Sequence, residues 1–280
     1  MIIDCHTHVN RYEDEAADAL PLCLERLQTA MRRNRIDHSL ILTSYRVSPG
    51  RPSARAVVDA TRDIPNLHVV AGISWTTFSA ADVEELRDLL QAGAIKGLKL
   101  YPGYEPFYPA DPKLTPAYEL AEEFDVPVMI HTGDTYAPTG KVKYSHPINV
   151  DEVAVDFPRV RFLICHLGNP WFRDCMEVVY KNENVYTDIS GLTLGDFTDR
   201  FEAYMRQQLK EMLLWGVNPN KVLYGTDWPL ATMESYLQFT DELSLTPRDR
   251  ELMLYENAAT LFKIDAAPVP MRFGSFFKRI

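Results

Sequence analysis

The chain contains 280 residues, of which 46% are hydrophobic, and carries a formal net charge of −10. This length suffices for one large domain with a substantial core, and the acidic balance argues against nucleic acid or an anionic membrane surface as the main partner. No apolar run approaches the ~20 residues of a membrane span. The first strand pattern begins at Ile2 and leaves no room for a signal peptide, so we expect a cytoplasmic protein.

The four cysteines do not form the pattern of a disulfide framework. Cys5 and Cys165 fall in predicted strands, Cys23 and Cys175 fall in predicted helices, and no two of them make a Cys-x-x-Cys pair. This distribution fits a reducing compartment, and we expect four free thiols.

Strand and helix patterns alternate along the chain. The predicted strands are short and almost entirely apolar: Ile2–Cys5, Ser39–Thr43, Leu67–Ile73, Gly97–Tyr101, Pro127–Ile130, Val160–Cys165, Val185–Ile189 and Val222–Tyr224. The predicted helices between and after them are Leu20–Arg33, Ala54–Arg62, Ala80–Gln91, Thr115–Phe124, Val150–Asp156, one that opens after Pro170, Phe197–Trp215, and further helices to about Phe262.

About eight strand–helix units in a chain of this length predict a (β/α)8 TIM barrel over residues 1–265. Apolar strands are typical of parallel strands that are buried on both faces. The alternative is an open doubly wound sheet, but its usual phosphate-binding signature is absent. The tail, Ala266–Ile280, is aromatic and mildly basic, and we expect it to pack on the barrel or on a second subunit.

Polar residues recur directly after the predicted strands. The set is His6, His8, Lys99, His131, His166 and Asp227, and it includes four of the 7 histidines. In a barrel these strand ends meet at one mouth, where the chemistry of the fold takes place. Because strand residues two apart share a face, we expect Asp4, His6 and His8 to lie on one side of the first strand. By the same rule, we expect Met129 to share a face with His131, Ile164 with His166, and Gly225 with Asp227.

These residue types suggest a metal site, although each has a simpler interpretation. Two imidazoles two residues apart can bind one divalent ion such as zinc, or they can be polar residues in a loop. Asp227 can ligate a metal and accept a proton, or it can cap the next helix. His166 can polarise or protonate a substrate, or it can orient the barrel mouth. Lys99 can bind a substrate carboxylate, bridge two metals once carboxylated, or reach toward solvent.

Aromatic residues concentrate in the loops that follow these strands. Tyr101 begins a loop rich in tyrosine and proline, Tyr136 lies in the loop after the fifth strand, and Trp228 follows Asp227. Such side chains can wall a pocket for a cyclic or aromatic acid, or they can pack the loops onto the barrel.

Taken together, these motifs resemble the amidohydrolase superfamily, in its amidohydrolase-2 branch of metal-dependent hydrolases and decarboxylases. The matching segments are Asp4-Cys5-His6-Thr7-His8, Gly97-Leu98-Lys99-Leu100-Tyr101-Pro102, His131-Thr132-Gly133, His166-Leu167-Gly168, Gly225-Thr226-Asp227-Trp228-Pro229 and Asn257-Ala258-Ala259-Thr260-Leu261-Phe262. The resemblance implies a distorted barrel with a divalent metal held by His6, His8, His131 and Asp227. In the family the position of His166 holds a second metal or contacts the substrate.

We therefore expect a metal-dependent hydrolase that attacks a C–N or C–O bond of a small, cyclic or carboxylated substrate through an activated water, with Asp227 and His166 as catalytic residues. Zinc is the expected metal, and manganese is the alternative. The resemblance equally covers a non-oxidative decarboxylase of an aromatic or muconate-type acid. A third interpretation is a non-catalytic barrel with a structural metal. The expected partner is a small-molecule substrate, and a homodimer or higher homo-oligomer is left open.

Overall fold

A computed structural model describes residues 1–10 and 20–265. In this part of the chain eight parallel strands follow one another around a single sheet in chain order. The strands are Ile3–Thr7 (β1), His38–Leu42 (β2), Leu67–Gly72 (β3), Gly97–Leu100 (β4), Val128–Ile130 (β5), Phe162–Ile164 (β6), Val185–Asp188 (β7) and Val222–Leu223 (β8). The expectation for the tail, residues 266–280, lies outside the described residues.

Helices alternate with the strands and cover the outside of the sheet. They are Leu20–Asn34 (α1), Ala54–Thr61 (α2), Ala80–Gln91 (α3), Thr115–Glu123 (α4), Asn149–Asp156 (α5), Phe172–Lys181 (α6), Asp199–Trp215 (α7), Met233–Asp241 (α8), Pro247–Glu251 (α9) and Asn257–Phe262 (α10). The predicted (β/α)8 barrel is confirmed.

Two apolar clusters explain why the strands are apolar on both faces. On β2, Leu40 and Leu42 pack inside the barrel, whereas Ile41 packs outward against the helices. The inner cluster also contains Leu261 and Phe262 from α10, so this helix covers one end of the barrel. The opposite end, where the carboxyl ends of the strands meet, is left for the loops and the site.

The barrel closes between β8 and β1 through the chain that follows β8. The amide of Cys5 donates to the carbonyl of Tyr224 (3.0 Å), and the amide of Asp227 donates to the carbonyl of His6 (2.8 Å). The pairing of β1 with β2 slips by one residue between Asp4 and Thr7.

This slip corrects one expectation, because it breaks the strict alternation of β1. The carboxylate of Asp4 accepts hydrogen bonds from the amide and the hydroxyl of Thr226 (3.1 and 2.6 Å), while His6 and His8 line the mouth. Asp4 therefore ties β1 to the chain after β8 and does not share a face with the two histidines.

Two simpler expectations can be compared directly with the structure. All four cysteines are buried and free, as predicted. Among the helices of the described chain, none combines the length and the apolar character that crossing a membrane would require.

Candidate functional site

Three side chains converge at the mouth of the barrel. The Nε2 atom of His8 lies 3.1 Å from Oδ1 of Asp227, and Nε2 of His6 lies 3.6 Å from the same oxygen. The three side chains can each offer one ligand atom, all within 4.8 Å of one another, and all three are almost fully buried. The structure thus brings together three of the four residues expected to hold the metal.

The hydrogen bonds behind the two imidazoles decide which ring nitrogen faces this centre. Nδ1 of His8 lies 2.8 Å from the carbonyl oxygen of Leu42, which only accepts, so this nitrogen carries the proton. Nδ1 of His6 lies 2.9 Å from the carboxylate of Asp188 and donates to it in the same way. In the neutral rings Nε2 of each histidine is then a bare lone pair that points at another acceptor, the carboxylate of Asp227.

A divalent cation fits this arrangement of donors. Two lone pairs and a carboxylate oxygen at 3.1–3.6 Å repel one another unless a positive charge lies between them. Two imidazole nitrogens and one carboxylate oxygen are also a common protein ligand set for a catalytic metal with an open coordination position. His6, His8 and Asp227 are therefore the residues that would hold the metal.

The electrostatics of the centre keep the carboxylate charged and the imidazole neutral. Burial by itself raises the pKa of Asp227, but the nearby rings of His8, His6 and His166 outweigh it and hold the pKa below its usual range. Burial and the proximity of Lys99 lower the pKa of His6 to about 3. These are the protonation states in which Asp227 and His6 act as metal ligands.

Asp188, the last residue of β7, and Ser190, two residues later, connect the histidines from behind. Asp188 Oδ2 accepts from His6, while its Oδ1 accepts from the amide of His166 (2.8 Å) and from the hydroxyl of Ser190 (2.5 Å). A carboxylate of this kind fixes the tautomer and the ring orientation of a ligating histidine. The sequence analysis missed both residues, although Asp188 obeys the same rule of a polar residue at a strand end.

His166 reaches the mouth by a route that strand parity does not predict. Strand β6 ends at Ile164, Cys165 packs inside the barrel, and His166 has φ 64°, a left-handed conformation that turns its ring toward the centre. The expected shared face of Ile164 and His166 is therefore wrong, whereas the expected location of His166 at the mouth is observed. Its ring centroid lies 4.9 Å from that of His6.

The hydrogen bonds of His166 leave its outer nitrogen available. Nδ1 donates to the carbonyl oxygen of Ser190 (3.0 Å), so Nε2 carries a lone pair, and burial lowers the pKa of the ring and keeps it neutral. Gly191 makes room for this ring. A Cβ atom at position 191 would lie 2.4 Å from Nδ1 of His166, and its φ of 60° also favours glycine.

His131 and Lys99 flank the three converging side chains. The ring of His131 lies 5.1 Å from that of His166, but its Nε2 bonds to the carbonyl oxygen of Asp134 (3.0 Å), and it is outside the ligand cluster formed by the described residues. Lys99 is buried on the inner face of β4, where its Nζ lies 2.7 Å from Sγ of Cys165.

A cavity of about 690 Å³ opens above these residues, a volume in the range of small-molecule sites. Of the expected substrate-binding residues, Lys99, Tyr101 and Tyr136 line it. The hydroxyl of Tyr101 donates to the carbonyl of Thr43 (2.5 Å), and the ring of Tyr104 packs at a tilt against that of His131, with ring centroids 4.7 Å apart.

The expectation for Trp228 is corrected. Its side chain lines a separate groove between α1, α7 and α8 instead of the cavity. The parallel pairing with β1 continues to the bridge between Thr7 and Trp228, so Trp228 points to the face opposite to Asp227.

The sequence analysis also missed the loop that follows β2. Tyr45, Arg46 and Arg51 line the cavity beside Asp227. These three residues follow a predicted strand, which is the position where polar site residues are expected. The loop, however, contains no histidine or carboxylate that would indicate a metal or catalytic site.

Comparison with curated proteins finds two relatives of similar sequence. They are gamma-resorcylate decarboxylases from Rhodococcus jostii, 23% identical over 192 residues, and from a Rhizobium species, 23% identical over 206 residues. The first match covers 58% of both chains and the second covers 59% of both, so each spans less than two thirds of the relative's length.

Solved structures share the fold over nearly the whole chain. An uncharacterised TIM-barrel protein from Bordetella bronchiseptica superposes with a TM-score of 0.71 at 22% identity, covering 94% of this chain and 98% of its own. A 2,6-dihydroxybenzoate decarboxylase from Rhizobium superposes with a TM-score of 0.70 at 17% identity, covering 95% and 99%. A putative 2-pyrone-4,6-dicarboxylic acid hydrolase from Pseudomonas putida gives a TM-score of 0.68 at 19% identity, covering 95% and 98%.

The match to a sequence family covers more of the chain than either curated relative does. The family model described as amidohydrolase aligns with residues 3–264. This interval includes every residue of the site described above, from His6 to Asp227. The chain belongs to the amidohydrolase family.

Proposed function

We propose that the protein is a metal-dependent, non-oxidative decarboxylase of an aromatic or otherwise unsaturated carboxylic acid. The observation that carries the proposal is the joint presence, in one cavity, of a ligand set for a divalent cation, a buried lysine and a wall of tyrosines. The two decarboxylases among the curated relatives support this reaction over the hydrolysis expected from the sequence motifs.

The reaction requires one proton to replace carbon dioxide: R–CO₂⁻ + H⁺ gives R–H + CO₂. A divalent cation bound by His6, His8 and Asp227 would polarise the substrate's oxygen atoms and hold them in place. Manganese is bound in a dihydroxybenzoic acid decarboxylase structure from a Polaromonas species, and zinc suits the imidazole ligands, so we propose a divalent metal of this type.

The side chains around the cation position define the remaining roles. Nε2 of His166 carries a lone pair and would accept a proton from a substrate hydroxyl and pass it to the carbon that loses its carboxylate, after which a solvent proton restores the hydroxyl. Asp227 would orient the substrate and is the second candidate for carrying this proton. Tyr101 and Tyr136 would flank the substrate ring, while Lys99 at the floor would attract the carboxylate.

Hydrolysis is the second candidate function. The carboxylate of Asp227, only 3.1 Å from His8, is placed to accept a proton from a water that attacks the substrate, and the family includes hydrolases as well as decarboxylases. A purely structural metal is disfavoured, because structural sites have four protein ligands and no substrate space, whereas here three donors face an open cavity.

The proposal is tested by product analysis on metal-loaded protein. Manganese- and zinc-loaded samples are incubated with a panel of hydroxybenzoic acids, including 2,6-dihydroxybenzoate and 5-carboxyvanillate, and carbon dioxide and the aromatic product are quantified. We expect carbon dioxide in equal amount to the decarboxylated product, and none from the His6→Ala/His8→Ala variant. Product formed by addition of water, without carbon dioxide, would favour the hydrolase instead.

A further inference from the structure

The loop after β2 places two arginines in the wall of the cavity. Strand β2 ends at Leu42, whose carbonyl supports the ring of His8, so the loop starts beside the cation position. A few residues later Arg46 and Arg51 line the same cavity as His8 and Asp227. Neither arginine is needed for the roles assigned above.

Local hydrogen bonds give this loop a defined shape. The backbones of Ser48 and Arg51 exchange two hydrogen bonds (3.0 and 2.9 Å), which close a tight hairpin. The hydroxyl oxygen of Ser44 accepts from the amide of Arg46 (3.1 Å) and from the guanidinium of Arg51 (3.3 Å). Since Ser44 itself lines the cavity, the guanidinium of Arg51 is held at the cavity wall.

The charge of the cavity differs from the charge of the whole chain. The molecule has a net charge of −10, yet among the residues that the structure describes the cavity wall contains three basic side chains, Arg46, Arg51 and Lys99, and two acidic ones, Asp134 and Asp227. Asp227 is already directed at the imidazoles of the centre. An excess of basic side chains in this part of the wall favours anionic ligands.

Aromatic contacts connect the arginine loop to the centre. The ring of Tyr104 lies 4.7 Å from that of His131 and 6.1 Å from that of Tyr45, the residue before Arg46. Burial raises the pKa of Tyr104 to about 12, and Arg51 is close enough to oppose that rise. Two ring contacts therefore connect Tyr45, the residue before Arg46, with His131 beside the ligand centre.

We propose that Arg46 and Arg51 form a subsite for a second carboxylate, and that the substrate is an aromatic or unsaturated dicarboxylic acid. This inference rests on the proposed function, in which the first carboxylate is the one that reacts. Arginine suits the role because its guanidinium binds a carboxylate through two parallel hydrogen bonds. The carboxylate bound by the arginines would fix the orientation of the substrate ring. Only the other carboxylate, the one that reacts, would then lie between Lys99 and the cation position.

The test measures binding and does not depend on turnover. Zinc-loaded full-length protein is titrated calorimetrically with isophthalate, which carries two carboxylates, and with benzoate, which carries one. The variants are Arg46→Gln, Arg51→Gln and Arg51→Lys. Arg55→Gln is the control, since Arg55 lies one turn further on, exposed and 3.6 Å from Glu85, outside the cavity.

We expect the parent protein to bind isophthalate about 10-fold more tightly than benzoate or better, which is the contribution of one charge-assisted hydrogen-bonded pair. Arg51→Gln and Arg46→Gln should reduce this preference, Arg51→Lys should retain part of it, and Arg55→Gln should retain all of it. Absence of the preference in the parent, its persistence in both glutamine variants, or an equal loss in Arg55→Gln would overturn the subsite.

This outcome is separable from that of the proposed reaction. If the preference depends on the two arginines but no carbon dioxide is released from any acid, the carboxylate subsite stands and the decarboxylase proposal fails. If monocarboxylic acids are decarboxylated and the preference is absent, the reaction stands and the dicarboxylate inference fails.

Discussion

Replacement of Asp188 by asparagine tests how the site is held together. In Asp188→Asn the amide oxygen can still accept from Ser190 and from the amide of His166, but the NH₂ group then faces Nδ1 of His6. Nδ1 would have to become an acceptor, so the proton would move to Nε2, the atom assigned to the metal. The side chain keeps its size while the ring is driven into the wrong tautomer.

The expected magnitude follows from the role of such partners. Loss of a hydrogen-bond partner behind a ligating histidine lowers metal affinity by about 10- to 100-fold, or roughly 1.4–2.7 kcal/mol. Affinity is measured by competition with a chromogenic chelator on protein whose fold has been checked by circular dichroism.

Asp4→Asn is the matched control for this experiment. Asp4 is equally buried and bonds the backbone amide of His6, but it does not touch the imidazole. We expect this variant to lower stability and leave metal affinity within a factor of about two. If Asp188→Asn binds metal as tightly as the parent, the tautomer argument is refuted, and so is the assignment of Nε2 of His6 as a ligand.

Three further predictions concern catalysis and stability. Asp227→Asn, reloaded with metal, should turn over about 10²- to 10⁴-fold more slowly in a steady-state assay, and a near-normal rate would restrict Asp227 to a ligand or turn role. Lys99→Met should preserve the melting temperature within a few degrees but raise KM for the acid substrate, whereas an unchanged KM would exclude contact between Lys99 and the carboxylate. Burial lowers the pKa of His68 to about 4, helped by His38, so the unfolded chain takes up a proton near the ordinary value while the folded chain does not. The free energy of unfolding should therefore fall as pH decreases from about 6.5 to about 4. Urea unfolding of His68→Gln should show a smaller fall over the same range. Identical pH profiles for the parent and the variant would argue against the burial of a neutral imidazole at position 68.

The barrel could be predicted because its pattern is repeated and physically simple. Each strand is buried on both faces, as Leu40 and Ile41 show on β2, and each is followed by a helix with one apolar side. The convergence of His6, His8 and Asp227 then follows from the topology, since the carboxyl ends of the strands meet at one mouth.

The structure differs from the predictions where the backbone leaves regular strand geometry. A one-residue slip in β1 separates Asp4 from the histidines, and a left-handed residue after β6 brings His166 to the centre against its parity. Trp228 was placed by proximity in sequence, although alternation puts it opposite to Asp227. Slips and left-handed turns depend on tertiary contacts and carry no marker in a hydrophobic pattern.

A different reason explains why some residues of the site could not be predicted from the sequence. Asp188 ends an otherwise ordinary strand, and its importance comes from contacts with residues 182 and 22 positions away in sequence, His6 and His166. Arg46 and Arg51 lie in a polar loop in which arginine is common on any surface. Their shared cavity is visible only when the barrel is folded.

A single mass-spectrometric measurement can show whether decarboxylation takes place at this centre. Metal-loaded protein is incubated with 2,6-dihydroxybenzoate, or with an aromatic dicarboxylate if that is the better substrate, in deuterium oxide enriched in oxygen-18. We predict a product that has lost carbon dioxide, carries one deuterium on the carbon that held the carboxylate, and contains no oxygen-18 in a newly formed bond. A product that retains all its carbon atoms and has gained oxygen-18 would exclude decarboxylation and identify the reaction as addition of water.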